Sequence, residues 1–145
     1  MTSTPNPVLV GAVERLRGKA KQHLNREAIV QELKNAQATS ERQLRELKQL
    51  EIEYAGTFAD ALTIDHKSLN RAGLNVEALF DSTREWLSDL AKWTKHHTEV
   101  VTWAGTKPDD KVTVEEIVAR IHAGEKSAAV LRERAVELAG QFAKL

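Results

Sequence analysis

The chain has no cysteine among its 145 residues. Disulfides, thiolate nucleophiles and thiolate metal ligands are therefore excluded, and the composition fits a reducing cytosol. Proline is nearly as scarce: Pro5 and Pro7 stand near the N-terminus, and Pro108 falls between two apolar-periodic stretches. Glycine occurs seven times, and neither glycine nor proline occurs from Lys19 to Ala55. Such scarcity of helix breakers marks an all-α protein. There is no excess of either charge, since Lys plus Arg and Asp plus Glu number 21 each. That balance argues against a dedicated, strongly basic nucleic-acid binder. No apolar run reaches the length of a membrane span, and residues 1–11 lack the basic and apolar blocks of a signal peptide. A cytoplasmic protein with no membrane span is the expectation.

What the chain does have is apolar periodicity. Val114, Ile117, Ile121, Gly124, Ala128, Leu131, Ala135, Leu138, Phe142 and Leu145 follow one another at alternating steps of three and four. That spacing keeps one seam of a helix against a partner helix along its whole length. The small residues Gly124, Ala128 and Ala135 invite a close neighbour. The seam can be met by another helix of the same chain or by a second copy, so self-association is open to it. The short loop before it makes the helix over 76–104 the candidate partner.

The remaining segments read as further helices. Residues 1–5 form a tail, and 6–145 a single domain. Asn6 caps a helix begun by Pro7, with Leu9, Val13, Leu16, Ala20 and Leu24 on one stripe. Ile29, Val30, Leu33 and Ala36 then continue on roughly the opposite side, which points to a break or bend near Asn25. Ser40 and Gln43 have the spacing of a capping box, with Ala38 and Leu44 as its staple, and predict a second helix running to about Ile64. Residues 65–73 suggest a short helical turn closed by Gly73, with Leu74 folding back on Leu69. Asn75 caps a third long helix, and Thr113 with Glu116 forms a second capping box ahead of the heptad segment. The expected architecture is an up-down bundle of four main helices plus the turn at 65–73. One rival exists: 100–103 and 111–114 are rich in β-branched residues and fit a small hairpin.

Chemistry is thin. Glu51 and His97 fall on apolar stripes, where burial can shift a pKa. Their heights in an up-down bundle do not match, since Glu51 faces Asp89 or Leu90 and His97 falls nearer residues 41–44. His96 and His97 are adjacent and point about 100° apart on a helix, which keeps them from sharing an ion easily. Metalloprotease, phosphate-loop and nucleophile-elbow motifs are absent. No catalytic residue, metal site or cofactor is expected.

Two features suggest contact surfaces. Arg15, Arg17, Lys19, Lys21 and Arg26 concentrate positive charge near the N-terminus. Arg15, Lys19 and Arg26 share one side of the helix and Arg17 and Lys21 another, with the apolar stripe between. Nucleic-acid phosphates attract such a cluster by counterion release, and an anionic membrane attracts a basic amphipathic helix. Trp86 and Trp93 lie seven residues apart on one face. They are core residues if enclosed and partner-binding anchors if partly exposed. The sequence therefore points to a non-catalytic helical protein-protein interaction module, an adaptor, inhibitor or assembly subunit, or alternatively to a small helical subunit of a nucleoprotein complex contacting phosphate through residues 15–26.

Overall fold

The computed structural model describes residues 4–69 and 75–145, and the side chains of residues 21–24 and 68 lie outside that description. Helix α1 spans Pro7–Leu50, 44 residues, or about 66 Å at 1.5 Å per residue. Asn6 Oδ1 accepts hydrogen bonds from the Val8 and Leu9 backbone N–H groups at 2.9 and 3.4 Å, so the expected cap is present. The expected break near Asn25 is not. Nothing from Lys19 to Ala55 removes a backbone donor or frees the chain from helical dihedrals, and the helix runs through. The change of phase marks a change of neighbour instead. Leu33 and Ala36 are buried in the body, whereas Leu9, Val13 and Leu16 face water.

The capping box at Ser40 and Gln43 is also overturned. Both residues lie in mid-helix and are buried, so neither caps a terminus. After Leu50 the rod continues through one wide π turn, Glu51–Ala55, into helix α2, Gly56–Ala61. The wide turn takes up a shift in the apolar register. Buried or half-buried positions advance by three and four through Leu47, Leu50 and Tyr54, then by four again to Phe58. The two helices expected from the sequence on either side of residue 40 are thus one continuous rod.

A single 3-10 turn, His66–Ser68, follows, capped by Asp65 Oδ1 on the Lys67 N–H at 3.1 Å. The expected Gly73 cap and its Leu74 contact lie outside the described residues. Helix α3, Val76–Gly105, starts where Asn75 Oδ1 accepts from the Ala78 N–H at 3.0 Å. Helix α4, Lys111–Ala123, is capped by Asp110, whose Oδ2 accepts from the Thr113 N–H at 2.8 Å. The cap therefore stands three residues before Thr113, which is itself inside the helix. Residues 100–103 belong to α3 and 111–114 to α4, so the hairpin alternative is excluded.

The heptad segment is not one helix. A turn at Gly124–Lys126 separates α4 from α5, Ser127–Ala143. Its seam nevertheless survives the turn: from Val114 to Leu138 every seam residue is buried, and Phe142 and Leu145 are half-buried. The partner lies inside the chain, as α3 and α1 pack against both helices. The result is all-helical, with three rods packed side by side: α1 with α2, then α3, then α4 with α5. No strand occurs among the described residues.

The core has two apolar blocks. One holds Leu47, Leu50, Phe58, Leu79, Trp86, Leu90, Leu131, Ala135 and Leu138. The other holds Leu33, Ala36, Val100, Ala104, Val114, Ile117 and Ile121. Each rod passes through both. Between them, α1 contributes Ser40 and Gln43, α3 contributes Thr94 and His97, and the turn after α4 leads to Ser127.

Candidate interaction surfaces

Among the described residues, the polar stratum between the two blocks holds the one buried titratable side chain, His97. His97 is fully enclosed, and its Nε2 lies 3.4 Å from Ser127 Oγ. The Ser127 hydroxyl hydrogen is directed to the Gly124 carbonyl at 2.7 Å, so Ser127 accepts and His97 Nε2 donates. That tautomer leaves Nδ1 as an acceptor, and Nδ1 is buried without a partner, as are Ser40 Oγ, Gln43 Oε1 and Thr94 Oγ1. Burial, aided by the adjacent His96, holds the His97 pKa below the usual histidine value. Glu51 is not brought near it. It lies exposed in the wide turn, outside the buried stratum. Among the described residues no three His, Asp or Glu side chains are grouped to hold a metal ion.

Trp86 is wholly buried, and its indole N–H donates to the Leu131 carbonyl at 2.7 Å. Phe58 meets its ring edge to face at 5.2 Å. This enclosure removes Trp86 from the partner-binding candidates: its apolar body and its polar N–H are both satisfied within the chain. Trp93 is half-buried and stacks on His97 at 6.1 Å, so part of its ring remains accessible.

The basic cluster falls on a segment that no other described element covers. From Thr4 through Ala28 every residue with a described side chain is exposed, apart from the half-buried Gly11 and Ala12. Residues 7–28 thus project beyond the body as a helical arm of about 33 Å. Leu9 is 64% exposed and Leu16 63%, with Val8, Val10 and Val13 exposed beside them. Arg15, Arg17, Lys19 and Arg26 are exposed too, and none forms an ion pair among the described residues. The Lys21 side chain lies outside the described residues. Two cations of the body reach acids on a neighbouring rod: Arg132 binds Glu53 at 2.9 Å and Arg134 binds Asp89 at 2.8 Å.

A second surface was not foreseen. The wide turn and α3 flank a groove of about 470 Å³. Ala55, Leu87, Leu90, Ala91 and Thr94 form its floor, with Glu51, Lys95, Thr98 and Glu99 around them. Its signal in the sequence is slight: two apolar residues four apart on α3, Leu87 and Ala91.

No family model, curated protein or solved structure matches the chain. Among the described residues no helix is long and apolar enough to cross a membrane.

Proposed function

We propose that this chain is a non-catalytic helical interaction module, an adaptor or assembly subunit whose body accepts an amphipathic helix from a protein partner. The observation that carries the reading is the groove between the wide turn and α3. No other described element covers it, and Ala55, Leu87, Leu90 and Ala91 make much of its lining apolar, while Glu51, Lys95 and Glu99 add charges. Ala55 and Ala91 are small, which suits the interaxial distance of roughly 8–10 Å at which helices pack. An incoming helix would seat its apolar face there and place its charges at the rim. Ala91 is exposed, so a long charged side chain at that position obstructs the groove without entering the core.

The test is quantitative affinity capture from the native host with the wild-type chain and with Ala91→Arg. A protein retained by the wild type and reduced at least about tenfold by the variant fits a helix-in-groove contact. Equal retention by both removes the groove from the account. A second reading, a subunit of a nucleoprotein assembly, has the exposed Arg15, Arg17, Lys19 and Arg26 in its favour. It requires capture that nuclease abolishes and binding that weakens steeply with salt.

A further inference from the structure

The arm combines two features that different occupants satisfy unequally. Leu9, Val13, Leu16 and Ala20 lie within an arc of about 60° on the helix, and all four are exposed. Arg15, Lys19 and Arg26 border one side of that arc, and Arg17 borders the other. Glu14 and Gly18 lie on the opposite face. Residues 7–28 hold five Lys and Arg against two acids, Glu14 and Glu27, although the whole chain is neutral.

A second copy of the arm is a poor occupant, since it would set the same cations against each other along both edges of the seam. A nucleic acid answers the cations but leaves Leu9, Val13 and Leu16 in water. A deep protein groove encloses much more of a helix than this narrow arc can line with apolar groups. An anionic lipid surface answers everything at once. The stripe enters the boundary of the acyl chains, and the Arg and Lys stems run outward to headgroup phosphates. Glu14 remains in water. The stripe from Leu9 to Ala20 is about 17 Å long, parallel to the helix axis, and nothing in the body obstructs it.

We propose that the arm lies in the plane of an anionic lipid surface and holds the body against it. The helix rests on the bilayer and does not span it. This contact is independent of the groove, so the chain attaches to a membrane at one end while the body stays free to take a partner helix.

The test uses the full chain and vesicles of phosphatidylglycerol and phosphatidylcholine mixed at about 1:3, with pure phosphatidylcholine as the neutral surface. Flotation is expected to carry the protein with the anionic vesicles. Binding should fall at least about tenfold on neutral vesicles, and likewise as salt rises from about 0.05 to 0.5 M. The double variant Leu9→Gln, Leu16→Gln should lose at least about tenfold in affinity with its thermal melting unchanged, because both residues lie outside the body. Because the chain has no cysteine, single dye positions are accessible through Val13→Cys and Gly18→Cys. The dye at residue 13 should shift to the blue and resist an aqueous quencher on vesicles, while the dye at residue 18 should not.

Absence of binding to anionic vesicles at low salt overturns the proposal. Binding that the leucine changes leave intact does the same, since it would be purely ionic. So would equal protection at residues 13 and 18, which means enclosure rather than a surface. Preference for a duplex DNA over the vesicles, unaffected by the leucine changes, transfers the arm to nucleic acid.

Discussion

The imidazole of His97 rests on the bare backbone of Gly124. A Cβ built on that glycine would lie 2.6 Å from His97 Cε1, 2.8 Å from Nε2 and 3.3 Å from Trp93 Cζ3. The close approach brings α3 against the turn between α4 and α5, and it allows His97 Nε2 to reach Ser127. The glycine of the heptad seam is therefore a steric requirement. The backbone of Gly124 is ordinary, with φ −98, so space and not conformation dictates the residue.

Gly124→Ala is accordingly expected to destabilise the fold by about 1–3 kcal/mol, the range for overpacking a filled core. Gly56→Ala is the control. Gly56 opens α2 and has nothing within 4 Å of its Cβ position, so alanine there should stabilise by about 0.5–1 kcal/mol through helix propensity. Urea denaturation of both variants measures the contrast. A stabilised Gly124→Ala would show that His97 moves aside freely.

The burial of His97 sets a pH dependence with a definite sign. Its folded pKa lies below the ordinary value of 6.5, so below that pH the unfolded chain binds the proton that the folded chain resists. Stability contributed by the neutral imidazole is complete above the unfolded pKa. It declines as the pH falls towards the lower folded value. Glu53 and Asp110 also have lowered pKa values, through Arg132 and Thr113 respectively, but their contributions begin to fade only as the pH falls into the ordinary carboxylate range. Denaturation midpoints between about pH 7.5 and 5 isolate the histidine, and His97→Gln should flatten the slope there. A wild-type midpoint constant across this window would mean that His97 is hydrated in solution.

Ser40 offers a different check on the polar stratum. Its Oγ is buried and unpartnered, in a helix where alanine has the higher propensity. Ser40→Ala is expected to leave the fold as stable as the wild type or to stabilise it by up to about 1 kcal/mol, since an unsatisfied hydroxyl is lost. Thermal melting decides this. A loss of more than about 1 kcal/mol would show that the hydroxyl holds a bound water that the fold depends on.

The helical class, the caps at Asn6 and Asn75 and the packing of the heptad seam within the chain were all legible in the sequence. They rest on local chemistry or on a repeat long enough to fix a face. The continuity of α1 was not. A shift of stripe from Leu24 to Ile29 looks the same whether a helix bends or its two halves meet different surroundings. Ser40 and Gln43 misled for a related reason. Their spacing matches a capping box, yet it also continues the steps of four, three and four from Ala36 to Leu47, and burial of the rod makes that register the operative one. The cations of the arm were visible from composition alone. That their stripe lies open to water was not, because exposure depends on where α3 and α4 end.

The unbroken rod makes the arm a lever. From Pro7 to Ala61 it extends about 80 Å, and it has no proline after Pro7, no interruption and only one wide turn at which to flex. A rotation of about 10° where the arm is held would sweep the far end through roughly 14 Å over such a length. Whatever grips the arm thus sets the direction in which the groove points, and a partner bound in the groove would feel the tilt of the surface beneath it.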